Sequence, residues 1–513
     1  MRENLIHADI LVIGGGTAGC MAAIAAKERK PKSRVVILEK AQIERSGCLA
    51  GGMNSINAYI HSGETPESFL RYLRYDAMGL IREDLVLSAA GRINESVARM
   101  EAWGLPIIKD EQGRYQRRGR WNLPIHGERL KPILAKAVQE AGIEVLNRVT
   151  TTGYLLSQGR VVGAVGIGVR DGVLYKVLAG AVICATGGAS GIYRPNNGGE
   201  AQHVMWYPPF NAGAGYAMGL RAGAELTGLE MRFIALRSKD VIAPTGTLAL
   251  GFGAPQVNAK GEKFMSARYN HIGGEGAPTC LRVYGPLQEL KEGRGPCYMD
   301  TRHLSAERVN DLKASYLDMV PGLVLYWTAN GIDPTQEPVE LAATEPYIMG
   351  GHCQAGYWVD VKRRTTLPGL YACGDVAGGY SYKFVSGSWA EGLIAGETAA
   401  EEFVDGVEEE LAQSMAEVER ATAPILRKAW TCDQVTPGQL RDRVQRIMDE
   451  YAGGLSSFFE INEERLERAR QELKRSQGQL QYLAAKDPHE LMTANESADR
   501  LLVARAVVEH LSK

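Results

Sequence analysis

Glycines at positions 14, 16 and 19, within Gly14-Gly15-Gly16-Thr17-Ala18-Gly19, follow the buried-strand pattern Ala8-Asp9-Ile10-Leu11-Val12-Ile13 and open an Ala-rich helix reaching Ala26. At a strand-to-helix turn such glycines permit a tight bend and let backbone N–H groups approach a pyrophosphate at the positive end of the helix. A second strand, Val35 to Leu38, ends at Glu39, twenty residues beyond Gly19, where a carboxylate can accept both ribose hydroxyls. Motif, context and spacing together point to a dinucleotide site, with Gly14, Gly16, Thr17, Ala18, Gly19, Glu39 and the adjacent Lys40 as its contacts.

Two later segments return to the same site. Ala181-Val182-Ile183-Cys184 reads as a buried strand ending in Ala185-Thr186-Gly187-Gly188, and Leu370-Tyr371-Ala372-Cys373 as another ending in Gly374-Asp375, whose carboxylate suits a ribityl hydroxyl. The stretch Ser386-Gly387-Ser388-Trp389-Ala390-Glu391-Gly392 opens a further Ala-rich helix, whose N-terminal dipole suits the negative charge of a reduced flavin. No second GxGxxG stands between a strand and a helix. Gly166-Ile167-Gly168 falls inside a β-meander expected between Val149 and Leu178, and reads as a turn or bulge. One dinucleotide is therefore expected to stay bound, exchanging electrons with a partner.

These elements must be carried by an α/β fold: a Rossmann-like dinucleotide-binding domain, an inserted α+β domain and a C-terminal helical bundle. The expected limits are 1–233 and 350–408 for the binding domain, 234–349 for the insertion and 409–513 for the bundle, where Leu440, Val444, Ile447, Met448 and Tyr451 share one helical face. A chain of 513 residues is long enough for about three domains. With 45% hydrophobic and 23% charged residues it is an ordinary globular protein, not a disordered one. A net charge of −2 gives no global field for nucleic acid or an acidic membrane. The eight cysteines lack the paired spacing of a zinc or iron–sulfur site and fit a reducing cytoplasm. The apolar run Leu11 to Ala26 is broken by glycines and closed by Lys27, Glu28 and Arg29, so it is neither a signal peptide nor a membrane span.

The set Gly14 to Gly19, Glu39, Arg45-Ser46-Gly47 leading to Gly51-Gly52, Ala185 to Gly188, Gly374-Asp375 and the Glu391 helix resembles the flavoprotein subunits of the fumarate reductase and succinate dehydrogenase superfamily. The resemblance covers nearly the whole chain. It implies FAD, held by the residues above together with Ser46, Gly51, Gly52, Ser386, Ser388 and Glu391, beneath a mobile capping domain. Covalent members carry a His after the Arg-Ser pair; Gly47 stands there, so noncovalent FAD is expected. The dicarboxylate enzymes place a proton-donating Arg where this chain has Leu250, and a carboxylate-binding Arg where it has Lys383; their His-Tyr pair reads Pro346-Tyr347.

These departures resemble one branch, the adenylylsulfate reductase α subunits, through Gly51-Gly52-Met53-Asn54-Ser55-Ile56-Asn57, Arg237-Ser238-Lys239-Asp240 and Lys383-Phe384-Val385-Ser386-Gly387-Ser388. Leu250 lies thirteen residues after Arg237, and Trp206 thirty-one before it. The resemblance implies Asn57, Glu128, Trp206, Arg237, Leu250 and His352 around flavin and substrate. It also implies the chemistry: attack of the reduced flavin N5 on the sulfuryl group, departure of AMP, and release of sulfite, or the reverse. Arg237 and His352 would stabilise charge on the sulfuryl oxygens, with Trp206 and Leu250 as walls. An iron–sulfur electron-transfer subunit is the implied partner, in a hetero-oligomer. Superfamily members usually continue with an Arg-rich tail that helps bind partners; this sequence stops soon after His510, so the resemblance leaves the mode of docking open.

Residue by residue, plainer readings stand beside these. Arg237 is either a substrate cation or a joint ion pair with Asp240; His352 either a ligand-facing or a satisfied core histidine; Trp206 packing or stacking. Glu128 is either a helix-start carboxylate or, beside His126, part of a positioning network, and Asn57 could simply complete a turn. The basic run Arg114, Arg117, Arg118 and Arg120 reads as a solvated loop or an anion funnel. Two other functions remain open from sequence: a reductase or oxidase of a small organic acid, and an electron-transfer flavin subunit without its own substrate.

Overall fold

The computed structural model describes residues 2–118, 121–196, 205–239, 241, 245–404 and 434–513. Arg120, Asp240, Cys432 and the expected junction near 409 lie outside the described residues.

Seven strands form the principal sheet: β1 (Glu3–Ile13), β2 (Val35–Glu39), β3 (Glu144–Asn147), β4 (Val149–Ser157), β5 (Arg160–Gly168), β6 (Leu174–Cys184) and β7 (Leu370–Ala372). Their order is β3-β2-β1-β6-β5-β4, with β7 also paired to β6. β1 runs parallel to β2 and β6, with Ile13 opposite both Leu38 and Cys184, and β7 runs parallel to the end of β6. β2, β1, β6 and β7 therefore release the chain along one edge, where an open α/β sheet leaves a crevice for a ligand. The expected meander is β4, β5 and β6, all antiparallel. Its last strand continues unbroken into Ala181–Cys184, which the sequence reading treats as a separate strand. Gly180 is no break: a Cβ there would stand 2.2 Å from the carbonyl of Val404, so the glycine admits a neighbouring backbone.

Ile10 to Ile13 and all of β2 are buried without alternation, as expected of parallel strands covered on both faces. The covering helices include α1 (Thr17–Arg29), α2 (Glu83–Ala102), α3 (Leu130–Glu140) and α4 (Ser386–Glu402). α1 and α4 approach backbone to backbone, since a Cβ on Gly396 would lie 2.2 Å from the carbonyl of Ala22.

The inserted region has its own antiparallel sheet of Leu236–Ser238, Val339–Ala343, Tyr298–Met299 and Gln256–Val257. It also has a separate apolar cluster that includes Leu236, Phe252, Met299, Leu312, Tyr316 and Trp327. By contrast Tyr347, Ile348 and Met349 already belong to the principal core. The C-terminal helices α5 (Pro437–Tyr451), α6 (Glu463–Gly478) and α7 (Pro488–Leu511) bury Leu440, Val444, Leu473, Leu501 and Val503 in that same principal core. The architecture is thus the α/β sheet with an inserted cap and a helical C-terminal region. Among the described residues no helix is long and apolar enough to cross a membrane.

Candidate active site

A cavity with about 1230 Å³ of empty space, partly open to solvent, runs along the edge where β2, β1, β6 and β7 end. Gly14, Gly16, Thr17, Ala18, Glu39, Lys40, Ala185, Thr186, Gly187, Gly374, Asp375 and Ser388 all line it. Gly14 has φ +101° and its Cβ position lies 2.6 Å from the carbonyl of Ala185, so only glycine lets the first turn meet the end of β6. The Glu39 carboxylate accepts from the Gly15 N–H at 2.8 Å and the Ala41 N–H at 2.7 Å. Four lone-pair sites on a carboxylate leave room for a ribose as well. Beneath this turn, the buried Lys131 of α3 donates to the Gly15 carbonyl.

The remaining expected cofactor contacts do not line the cavity. Gly19 packs under the turn, its Cβ position 1.9 Å from the Gly14 carbonyl. Gly52 packs against the Glu128 backbone, and Gly51 ends the short helical turn Cys48–Gly51. The Ser386 hydroxyl is spent on the Asn57 carbonyl at 2.6 Å. Glu391 is wholly buried, bound to Arg363 at 3.0 Å and Lys383 at 3.2 Å. Ser46 is buried, and its hydroxyl has no hydrogen-bond partner among the described residues. That orphan hydroxyl, the space open above Gly16 and the carboxylates of Glu39 and Asp375 fit a bound dinucleotide.

Of the expected substrate residues, Trp206 and His352 line the cavity, while Asn57, Glu128, Arg237 and Leu250 do not. His352 sits among Trp206, Phe233 and Phe384, at ring distances of 5.1, 4.6 and 4.8 Å. Burial drives its pKa down to about 3, so the imidazole is neutral. The ring can therefore donate or accept a hydrogen bond but carries no charge, as the expected role of a donor to the sulfuryl oxygens requires. Its Nδ1 is buried without a partner among the described residues.

Arg237 is buried, and its guanidinium donates to the carbonyls of Asn196 at 2.7 Å and Ser238 at 3.0 Å. A hydrogen-bonded chain joins it to the cavity wall. The Asn196 N–H donates to Glu345 at 3.1 Å, the Tyr347 hydroxyl donates to Glu345, and the Trp206 N–H donates to Tyr347 at 3.0 Å. Burial raises the pKa of the Glu345 carboxyl, opposed by Tyr347 and Arg237. Leu250 packs on the cap's own cluster. Glu128 is exposed, next to His126, whose Nδ1 lies 3.4 Å from Asp318 of the cap. In the basic run, Arg114 binds Asp110, Arg117 binds Glu64, and Arg118 lies 5.6 Å over the Phe252 ring of the cap. Lys383 points beneath the Gly374 loop and not into the cavity, so it does not stand in for a substrate-binding arginine.

Several lining residues escape the sequence reading, among them Tyr207, Phe210, Phe384, Cys48 and the start of β4. Tyr207 donates to Asp375 at 2.9 Å and accepts from the Gly188 N–H at 3.0 Å, tying two cavity loops together. The aromatic-flanked pair Tyr207-Pro208-Pro209-Phe210 was the available signal. The Cys48 side chain is open to the cavity yet surrounded by protein, and burial pushes its pKa up to about 12.

A family model described as an FAD binding domain matches residues 9–388. The chain is 31% identical to adenylylsulfate reductase subunit alpha of Megalodesulfovibrio gigas, over 98% of this chain and 88% of that one. Among solved structures, adenylylsulfate reductase from Archaeoglobus fulgidus superposes with a TM-score of 0.92 at 36% identity, covering 100% of this chain and 89% of that chain. A structure described as adenosine-5-phosphosulfate reductase in complex with sulfite as a covalent adduct gives the same TM-score of 0.92, identity of 36% and coverage of 100% and 89%.

Proposed function

Because the chain belongs to the FAD-binding-domain family, beside the adenylylsulfate reductase α subunits, we propose that this FAD-dependent oxidoreductase interconverts adenylylsulfate plus two electrons with sulfite plus AMP. Bound FAD supplies the two-electron chemistry. The chain's residues bind, orient and exclude water. The first glycine turn and α1 hold the pyrophosphate, Glu39 the ribose and Asp375 a ribityl hydroxyl. FAD is held without a covalent bond, since Gly47 has no nucleophile and the Cys48 thiol is protonated at neutral pH.

Trp206 and Phe384 give the substrate an aromatic wall, and His352 offers a neutral hydrogen-bond donor to a sulfuryl oxygen. Arg237 supplies the positive charge from behind the Asn196 and Glu345 chain, Leu250 an apolar cap surface, and Asn57 and Glu128 the positioning beneath it. The reading divides the chain into a binding domain of 1–233 and 350–408, a cap of 234–349 and a helical domain of 409–513; the cap's separate apolar cluster supports a unit from Ile234 to Ala343, while Tyr347 to Met349 pack with the principal core. A cytoplasmic iron–sulfur protein fits as electron partner, because the cysteines of this sequence are unpaired in spacing.

The observation that carries this reading is the cavity wall of Trp206, Phe384 and a neutral His352, under a cap with Leu250 in place of a proton-donating arginine. It suits a sulfuryl anion and gives no proton to carbon. The test is anaerobic acceptor reduction by FAD-loaded protein with AMP and sulfite, with sulfite alone, and with succinate. Reduction that requires both AMP and sulfite is expected, and Arg237→Leu should abolish it while FAD stays bound. Turnover of succinate would replace the substrate assignment, no turnover at all would favour a pure electron-transfer subunit, and full activity in Arg237→Leu would remove Arg237 from the site.

A further inference from the structure

We propose that Lys383 and Glu391 are positioning residues for the flavin end of the cofactor: with Arg363 they clamp the Gly374 peptide, present Asp375 to the cavity, and raise the flavin's reduction potential through a surplus positive charge. The side chains of all three are fully buried. Glu391 accepts from the Gly374 N–H at 2.8 Å, and the Lys383 ammonium donates to the carbonyl of the same Gly374 at 3.2 Å and to Ala377 at 2.6 Å. Gly374 is thus gripped at both its donor and its acceptor. Arg363 binds the other oxygen of Glu391 at 3.0 Å and fixes itself to the Ser88 hydroxyl at 2.9 Å and the Val361 carbonyl at 2.8 Å. The cluster therefore locks the end of β7 to α4 and α2.

Behind the cavity wall, Lys383 and Arg363 face one carboxylate, Glu391, a surplus of one positive charge among the three; the second carboxyl, Asp375, stands on the cavity side and balances that surplus only when it is ionised. Burial opposes ionisation of Asp375, while Tyr207 and Lys383 favour it. A buried ion pair is weak grounds for stability, because desolvation offsets most of the attraction. Its effect is positional and electrostatic: in a dry site an uncompensated charge acts over several ångströms. The affected end of the cavity is the flavin end, since Glu39 at the close of β2 marks the ribose side and β1 and β6 lie between β2 and β7.

This inference rests on FAD binding and not on the substrate, so its test uses neither AMP nor sulfite. Flavin potentials and FAD dissociation are measured anaerobically on FAD-loaded Lys383→Met, Lys383→Arg and Glu391→Gln. Lys383→Met should lower the reduction equilibrium about tenfold, which is about 30 mV for a two-electron couple, and release FAD faster. Lys383→Arg should recover the potential, and Glu391→Gln, isosteric but uncharged, should raise it. A wild-type potential in either Lys383→Met or Glu391→Gln overturns the proposal. If neither holds FAD, the double variant, which removes one charge of each sign, should hold it; a double variant no better than the singles also overturns it.

Discussion

His352 contributes a pH dependence whose sign follows from its burial. An exposed imidazole titrates near 6.5, and here burial holds the folded-state value at about 3. Between these limits the unfolded chain binds a proton that the folded protein does not, so this residue makes stability rise with pH from about 3 to about 6.5. At most it adds about 1.4 kcal/mol per pH unit in that window. Urea unfolding of FAD-loaded wild type and His352→Gln at pH 7 and pH 5 checks this: the wild type should lose the greater stability on acidification, and equal losses would mean a charged or solvated ring. A sequence shows that a histidine is present, but its charge is decided by Trp206, Phe233 and Phe384, which arrive from three distant segments. Glu39 was legible because its place follows from a fixed spacing along one strand-turn-helix unit. Glu391 was misread as a cofactor contact for the opposite reason. It lies three residues beyond Ser388, about 4.5 Å deeper along α4, where it meets Lys383 and Arg363 and not the cavity.

At the scale of elements, the site depends on how closely α1 and α4 approach, because one carries the first glycine turn and the other carries Ser388. Gly392 and Gly396 set that distance: their Cβ positions fall 2.5 Å from the Ala18 carbonyl and 2.2 Å from the Ala22 carbonyl. Backbone cannot yield as a flexible side chain would, so Gly396→Val must push the helices apart. A loss of roughly 1–3 kcal/mol is expected, the range for overpacked cores. Thermal unfolding of the FAD-loaded protein should show the loss together with weaker FAD retention; an unchanged melting temperature would mean that the two helices slide without cost. The strand-turn-helix units and the meander could be read from composition because local hydrophobic pattern and turn residues determine them. The continuation of β6 through Gly180 could not, since it depends on Val404, more than two hundred residues away.

At the scale of the molecule, the C-terminal helices buttress the cavity from behind. They share the principal core, and α7 reaches the loop that carries Phe210 through Arg500. Arg500 is buried and donates to the carbonyls of Ser190 at 3.1 Å and Pro209 at 2.5 Å. Glu496, one turn earlier, pairs with Lys40, which donates to the Phe210 carbonyl at 2.6 Å. Lys40 and Phe210 both line the cavity on its ribose side, and Phe210 is 62% exposed there. The α7 side chains thus hold in place the Lys40 and Phe210 wall of the cavity. Arg500→Met removes the donor from two buried carbonyls and leaves Glu496 with Lys40 alone, a change of the kind that costs about 3–5 kcal/mol when a buried charge loses its partner. Because a ligand that binds only the folded state adds its own stabilisation, the two contributions separate. FAD should leave at least about tenfold faster, equivalent to about 1.4 kcal/mol, and the holoprotein should lose more thermal stability than the apoprotein. Equal losses in both forms, with an unchanged rate of FAD release, would confine α7 to packing and detach it from the cofactor.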